Sequence, residues 1–436
     1  MGLFQKKILR KDSILLLIAY VTVLVYCITM DAIYSFDTYS YLKAMPFRQL
    51  GYVIFLKSFN FIFGGYFELA VVFVHTVFSL FAVHYFYKKT ASLFKLNLFL
   101  KLPLLLILLF PFFPPLLIAN NLCSEGLGYG LYLIFIAVGM EILFNNKKKY
   151  IKYYAIVFLA LVFIRSQFVI STLIFAGVYF LSYRKHIAKQ KHILNLVVFC
   201  SLILVASLTE RTYHKLKDGF FKPTPLGYTS ASTAPIYISN KSDYKLIEDE
   251  DYRNIFQMSY DTLVKKDLLP KSTQTPNEKY LFFHENLPKI CNQTVRSIGI
   301  DYYFSKDIPK GFTEQQAISY PIFETEAACK VFTFVLIKAN FKKWIQLYYL
   351  NITFGFYSPI LFFFVIFIFL FSLFKTVFFY QKPYAVLFLL SSLILSNALF
   401  IAFASHSIMR YLFYNYALFF LLLICTFNLL RRDQQA

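Results

Sequence analysis

The stretch "TFGFYSPILFFFVIFIFLFSLF", residues 353–374, contains no charged side chain and is dominated by phenylalanine, isoleucine and leucine. A helix that crosses a membrane needs about 20 consecutive, mainly apolar residues. The stretch therefore predicts a transmembrane helix, and it is not alone. Nine further apolar runs lie at residues 13–30, 66–87, 102–119, 122–144, 150–164, 167–183, 193–209, 384–404 and 408–430. The sequence thus predicts an all-α polytopic membrane protein with about ten transmembrane helices.

The composition of the whole chain agrees with this class. Hydrophobic residues make up 58% and charged residues only 15%, whereas about a quarter of the residues of soluble domains are charged. One run is irregular, because Pro111, Pro114 and Pro115 interrupt residues 102–119. Proline removes a backbone donor, so this helix is expected to kink or to end early.

The net charge of +21 is unevenly distributed and encodes topology. Residues 210–345 hold 19 of the 44 Lys and Arg and 16 of the 23 Asp and Glu, which nearly balance. The other 25 basic residues outnumber 7 acidic ones and cluster in short connections that ten spans would place on one side. The positive-inside rule makes that side cytoplasmic, with both termini inside. A nucleic-acid partner is not needed to explain the charge.

This topology divides the chain into three parts. Residues 1–209 form an N-terminal membrane region whose first extracytoplasmic loop is 31–65, and residues 346–436 form the C-terminal membrane helices. Residues 210–345 form a mixed extracytoplasmic loop domain between them. The first apolar run is expected to be a retained anchor in the plasma (inner) membrane, the alternative being a cleaved signal peptide.

Within residues 210–345, two segments have helical patterns. Acids begin and lysines end the segment 248–269, as the helix dipole favours, with Ile255, Met258 and Leu263 on one face. Residues 324–350 predict one amphipathic helix. Cys291 and Cys329 could form a bridge in an oxidising compartment, although their spacing alone leaves this open.

Several polar residues are predicted near the outer membrane surface, where burial is costly and therefore suggests function. They come from four distant segments but should share one face. They are Asp31, Asp37 and Arg48 in the first loop, Glu125 where the fourth helix starts, Arg165 at the turn between helices five and six, and His406 and Arg410 at the mouth of the last pair.

Most of these residues also have a structural interpretation, and Glu125 could cap its helix. Asp31 is by default a solvated helix end, and Asp37 could be the N-cap of the helix that follows it. Arg48 and Arg410 could extend to lipid headgroups. His406 could be an ordinary surface histidine.

The first loop and the fourth helix carry a family resemblance. The order "FDTYSYL…FRQLGYVIFL" resembles the first outer loop of the C-type (GT-C) membrane glycosyltransferases, where an acid precedes an "R-x-P-G-Y-P"-like stretch. Arg48, Gly51 and Tyr52 match that stretch, while Leu50 and Val53 replace its prolines. The segment "NNLCSEGLGYGLYLIF" is similar to the family's "S/T-E-x-L".

The end of the chain carries the same resemblance. The segment "HSIMRYLFYNYALFFLLL" resembles the family's closing "R-Y-x-x-P-x-x-P" helix, with Arg410 and Tyr411 in the matching positions. Tyr414 and Leu418 stand near the expected prolines. The segment "LIKANFKKWIQLYYLN" is like the amphipathic stretch before the late helices, with Phe341 where proline is usual.

The resemblance implies a GT-C-like fold and a glycosyltransferase that uses a polyprenyl-phosphate sugar donor, as do protein O-mannosyltransferases and lipid A aminoarabinose transferases. The acceptor would be a lipid, a glycan or a protein. It implies Asp37 as the catalytic base of an inverting transfer, with Asp31 as the alternative acid. The remaining candidates would bind substrate or phosphate: Arg48, Glu125, Arg165, His406, Arg410 and Tyr411.

The chemistry suits these residue types, since a carboxylate can accept the hydroxyl proton and arginine binds phosphate through a planar fork. No metal ligand set has a recognisable spacing, although a divalent ion at Asp37 and Glu125 is conceivable.

Two other functions stay open. A surface-polysaccharide polymerase or ligase would place its chemistry within 210–345, and a transporter or flippase would need charges at the bilayer midplane.

Overall fold

The computed structural model describes residues 3–306 and 309–433. All regular elements within these ranges are helices, and the β-pairing they contain is a single parallel bridge between Ile33 and Asn121. The expectation of a mixed architecture for residues 210–345 is therefore wrong, since the elements described there are helical. The all-α class is confirmed for the described residues.

The helices of the first half of the chain are as follows. They are α1 (Leu3–Thr29), α2 (Phe36–Leu42), α3 (Leu50–Phe63), α4 (Phe67–Leu93), α5 (Leu98–Leu109), α6 (Glu125–Phe144), α7 (Ile151–Ile164), α8 (Ser171–Tyr183) and α9 (Gln190–Asp218).

The helices of the second half of the chain start after α9 and include the late membrane helices. They are α10 (Gly227–Ala231), α11 (Thr233–Ile238), α12 (Glu250–Lys265), α13 (Pro276–Ile290), α14 (Ser297–Ser305), α15 (Glu314–Ala339), α16 (Phe341–Gly355), α17 (Pro359–Phe378), α18 (Lys382–Ala404), α19 (Met409–Leu412) and α20 (Asn415–Asp433).

Six helical segments of the described chain are long and apolar enough to cross a membrane. Several apolar helices of this kind indicate a multi-pass membrane protein. Four shorter apolar helices lie at 13–29, 98–112, 151–164 and 415–430, where four more of the predicted runs fall. Ten spans thus stay a prediction. The six longer segments are Leu50–Leu93, Glu125–Phe144, Ser166–His186, Gln190–Asp218, Pro359–Phe378 and Lys382–Ala404.

The proline-rich run ends early, as its sequence predicts. After α5 a single 3-10 turn reaches Phe112, and the chain then runs irregularly to α6. Asn120 holds this irregular segment against the end of α1, because its side-chain Nδ2 donates to the carbonyl of Cys27 at 2.8 Å. The start of α6 is thereby fixed beside the first loop.

The first loop, 31–65, contains the whole of α2 and α3. Ser35 is the N-cap of α2, and its backbone N–H donates to Thr38 Oγ1 at 3.0 Å. The N-cap interpretation of Asp37 is therefore wrong. Asp37 lies in the first turn of α2, and its carboxylate is available for other partners.

Two hydrophobic cores divide the chain. One joins the apolar helices α1 and α3–α9 to α17, α18 and α20, and the other joins α11–α15 with Leu347 of α16. Ile255 and Leu263 of α12 are buried in the second core as predicted, whereas Met258 is exposed. Cys291 and Cys329 are buried there as free thiols, so the structure contains no bridge between them.

The amphipathic helix predicted over 324–350 is instead two helices. They meet at Asn340, which is nearly buried and lies between α15 and α16. Its Nδ2 donates to Asp243 Oδ2 at 2.8 Å. This bond reaches almost a hundred residues back in the chain, so the local pattern could not reveal the break.

Candidate active site

Five of the predicted polar residues form one chain of ion pairs. Arg48 pairs with Asp37 Oδ1, while Nη2 of Arg410 lies 2.8 Å from Asp37 Oδ2. Arg410 also pairs through Nε with Glu125 Oε1, and Nη1 of Arg165 lies 2.8 Å from that same oxygen. Three guanidinium groups thus face two carboxylates. We call these five residues the arginine cluster, and its formal charge is one positive.

Local structure positions the acids of the cluster. Glu125 is the first residue of α6 and Asp37 lies in the first turn of α2. The N-terminus of a helix carries unpaired N–H groups and a partial positive charge, which stabilise an acid there. Both acids therefore have a favourable backbone setting besides their arginine partners.

A glycine makes room for Arg165. A Cβ atom on Gly128 of α6 would lie only 2.8 Å from Arg165 Cδ, closer than such atoms approach in proteins. The absence of a side chain at this position thus lets the arginine run along α6 to reach Glu125.

Arg165 is fully engaged by the protein. Its Nη1 donates to Ser124 Oγ at 3.2 Å, and its Nε and Nη2 donate to Gln167 Oε1 at 3.1 and 2.8 Å. Gln167 in turn donates to Asn397 Oδ1 at 3.1 Å. The Arg165 side chain is 9% exposed, whereas that of Arg410 is 37% exposed. Arg410 is thus the more accessible of the two to a ligand.

Arg48 pairs with the Asp37 oxygen that Arg410 does not contact, and two further contacts hold its side chain in place. Its Nε donates to Ser40 Oγ at 2.6 Å, and its guanidinium lies 4.8 Å from the centre of the Tyr41 ring. Stacking on an aromatic face is a favourable setting for an arginine side chain. Arg296 also approaches this region and lies 3.6 Å over the ring of Phe47.

The cluster lines a cavity of about 310 Å³. Side chains from the membrane helices and from the segment after α9 contribute to its wall. The polar lining residues outside the cluster are Tyr41, Gln49, Ser124, Ser166, Gln167, Glu210, Thr224, Ser230, Ser405 and Tyr411.

The charges of the cluster support one another. Burial alone would raise the pKa of the Asp37 carboxyl, but the positive charges of Arg48 and Arg410 outweigh it and hold that pKa below its ordinary value. Asp37 is consequently ionised at neutral pH, with one arginine on each oxygen.

Asp31 and His406 lie elsewhere. Asp31 is exposed and accepts a hydrogen bond from Asn120 Nδ2 through its backbone carbonyl, at 3.4 Å. His406 Nδ1 donates to the carbonyl of His284 at 3.0 Å, and burial together with His284 lowers the pKa of His406 to about 4. Neither side chain lines the cavity. Tyr411 does line it, with its ring 5.7 Å from the Arg165 guanidinium.

Sequence reasoning missed Gln167 and Glu210. Gln167 falls within the predicted run 167–183, and a polar amide two positions after an arginine was a usable signal. Glu210 directly follows the run 193–209 and could have been found as the first acid at the end of a span. Ser124 and Tyr41 lie within the segments that carry the family resemblance, whereas Thr224 carried no such signal.

No group of three His, Cys, Asp or Glu that could hold a metal occurs among the residues that the structure describes. Comparison with known proteins identifies no relative, since no family model, curated protein or solved structure matches the chain.

Proposed function

We propose that the protein is an integral-membrane glycosyltransferase that moves a sugar from a polyprenyl-phosphate donor to a hydroxyl of an extracytoplasmic acceptor, with inversion. The observation that carries the proposal is the arginine cluster, whose three arginines outnumber its own two carboxylates and which lies on the wall of a cavity at the ends of apolar helices. Such an excess of guanidinium groups suits an anion that is anchored in the membrane.

Arg48 and Arg410 are the two arginines of the cluster that remain available to a ligand, and a phosphate group suits them. Arginine presents planar, paired donors that match phosphate oxygens, and its charge does not depend on pH. Arg48 and Arg410 each hold Asp37 through part of their donor set, so their remaining N–H groups can bind phosphate. Arg165 is engaged by Glu125, Ser124 and Gln167, and we assign it a positioning role.

A second cavity, of about 400 Å³, is apolar, and part of its wall comes from residues that follow Arg410 in the sequence. Leu412 and Tyr416 line it, two and six residues after Arg410, and Phe419 and Leu423 continue the wall along α20. A polyprenyl chain is wholly apolar and suits such a lining, because it leaves no polar group unpaired there.

The base is the more difficult assignment. Asp37, the residue predicted from the sequence, is ionised and could accept a proton. Both of its oxygens nevertheless bind the arginines proposed to hold the donor phosphate. As the base, Asp37 would have to lose one of those partners when the donor binds.

A surface-polysaccharide polymerase or ligase is the second candidate. The observation in its favour is that Glu210, Thr224 and Ser230, from the segment 210–345, line the same cavity as the cluster. A polymerase or ligase also uses a lipid-linked glycan. It differs from the glycosyltransferase proposed above in that its acceptor is a glycan chain.

The proposal is tested by the binding of undecaprenyl phosphate to the purified full-length protein in nanodiscs. Arg410→Ala should weaken binding about 10- to 100-fold, because a hydrogen bond to a charged group contributes about 1.5–3 kcal/mol. Arg211→Ala is the matched control, since Arg211 lies beside Glu210 in the chain but outside the cavity lining. Equal affinities for the wild type and the Arg410→Ala protein would contradict the proposal.

A further inference from the structure

Three acidic side chains line the cavity, and one of them differs from the other two. Asp37 and Glu125 each pair with two arginines. Glu210 also lines the cavity, yet it has no ion pair with any residue that the structure describes. An unpaired carboxylate in a partly buried cavity keeps its capacity to accept a proton from a ligand.

Glu210 is held from behind by a row of hydrogen bonds. Thr224 Oγ1 donates to Glu210 Oε1 and lies 3.0 Å from His214 Nε2. His214 Nδ1 in turn lies 2.7 Å from Asp218 Oδ2. Glu210, His214 and Asp218 are four residues apart on α9 and therefore share one face of the helix. The other Glu210 oxygen, Oε2, has no hydrogen-bond partner within the described ranges.

The proton count of this row is constrained. An ionised carboxylate only accepts, so the single hydroxyl hydrogen of Thr224 goes to Glu210. Asp218 likewise only accepts, so His214 Nδ1 donates to Asp218 Oδ2. The row fixes the direction of Glu210 Oε1, and Oε2 is left to accept from a ligand.

The geometry of inverting transfer separates the base from the leaving group. The attacking hydroxyl approaches the face of the sugar opposite to the bond that breaks, and its base works from that face. Asp37 binds the arginines that would hold the leaving phosphate, which places it on the leaving-group side. Glu210 comes from the end of α9, a different part of the cavity wall.

We propose that Glu210 is the catalytic base, an assignment that rests on the transferase function proposed above. Glu210 Oε2 takes the proton of the acceptor hydroxyl as the acceptor oxygen bonds to the anomeric carbon. The bond between that carbon and the phosphate oxygen breaks, and polyprenyl phosphate leaves with the electron pair. Thr224, His214 and Asp218 are positioning residues, and Asp37 orients Arg48 and Arg410.

The test separates the chemical step from donor binding. Removal of a general base typically lowers the rate about 10²- to 10⁴-fold. Glu210→Gln should therefore lose transfer by this factor, measured as release of polyprenyl phosphate from a panel of polyprenyl-phosphate hexoses and aminopentoses in the presence of cell-envelope acceptors. Its affinity for undecaprenyl phosphate should equal that of the wild type. Glu210→Asp, which keeps the carboxylate, should recover part of the rate.

Two further variants exclude a purely structural role. Thr224→Val preserves shape but removes the hydroxyl, and it should lower kcat while leaving undecaprenyl phosphate binding and the melting temperature unchanged. Glu248→Gln, on the exposed surface of the 210–345 segment, is the control and should behave as the wild type.

The possible outcomes are distinct. A Glu210→Gln protein that transfers at the wild-type rate would overturn the assignment and leave the transferase function standing. A wild-type protein that uses no donor of the panel would overturn the transferase function together with the assignment. Loss of undecaprenyl phosphate binding in Glu210→Gln would also refute the assignment, because a base that acts only on the acceptor hydroxyl does not hold the donor phosphate.

Discussion

Asp37 shows how far a single residue can be interpreted from the sequence. A charged residue at a predicted membrane surface is costly, and this cost identified Asp37, Glu125 and Arg410 although they are far apart in the chain. Their exact pairing was not predictable, because it depends on which atoms meet in the folded protein. The pairing changes the interpretation of Asp37, since both of its oxygens are engaged.

Asp37→Asn tests the role of this residue. The change raises the formal charge of the arginine cluster from one positive to two, so undecaprenyl phosphate should bind at least as tightly as in the wild type. Transfer should fall less than in Glu210→Gln, because the base remains. Asp31→Asn, six residues earlier and outside the cavity, should leave both measurements unchanged. If Asp37→Asn abolishes turnover while Glu210→Gln retains it, Asp37 is the base that the sequence predicted.

At the scale of the elements, the apolar runs predicted most membrane helices, and the acids and lysines around 248–269 predicted α12. Periodicity and end signals are local, and they succeed where local preferences decide. They failed at Asn340, where a bond to distant Asp243 accompanies a break between helices. They also missed α3, because the ten-span topology assigned residues 31–65 to an outer loop although residues 50–63 are apolar.

Gly128 of α6 provides a test of how an element positions the site. Alanine normally stabilises a helix relative to glycine by up to about 1 kcal/mol. At Gly128 its methyl group would meet Arg165 Cδ at 2.8 Å and the hydroxyl of Tyr414 at 3.3 Å, so Arg165 should be displaced from Glu125. Gly128→Ala should lower transfer at least tenfold, whereas Gly177→Ala, with no atom within 4 Å, should retain full activity. Unchanged transfer in Gly128→Ala would show that the Arg165–Glu125 contact is dispensable.

At the scale of the whole molecule, the structure brings the cluster and the 210–345 segment to the same end of the apolar helices, but the side of the membrane follows from charge alone. We predict that this end is extracytoplasmic. An impermeant maleimide applied to intact cells should label Thr273→Cys in an exposed turn of the segment, and should not label Ala188→Cys in the basic connection between α8 and α9. The opposite labelling pattern would place the cavity in the cytoplasm and contradict an extracytoplasmic acceptor.

The unequal pairing of the cavity's charges has a consequence for the order of events. Among the residues that the structure describes, its lining holds three arginines and three acids, so these groups are formally neutral together in the empty cavity. A polyprenyl-phosphate sugar brings one negative charge to the arginines, and the loaded cavity then carries a net charge of minus one, with Glu210 as its unpaired member. Proton transfer from a neutral acceptor hydroxyl to Glu210 leaves this total unchanged, and the negative charge of the acceptor oxygen passes to the leaving phosphate beside the arginines as the new bond forms. In the empty cavity no leaving group is present to take up that charge. The arrangement therefore favours an ordered reaction in which the donor enters first and the acceptor is deprotonated only in its presence.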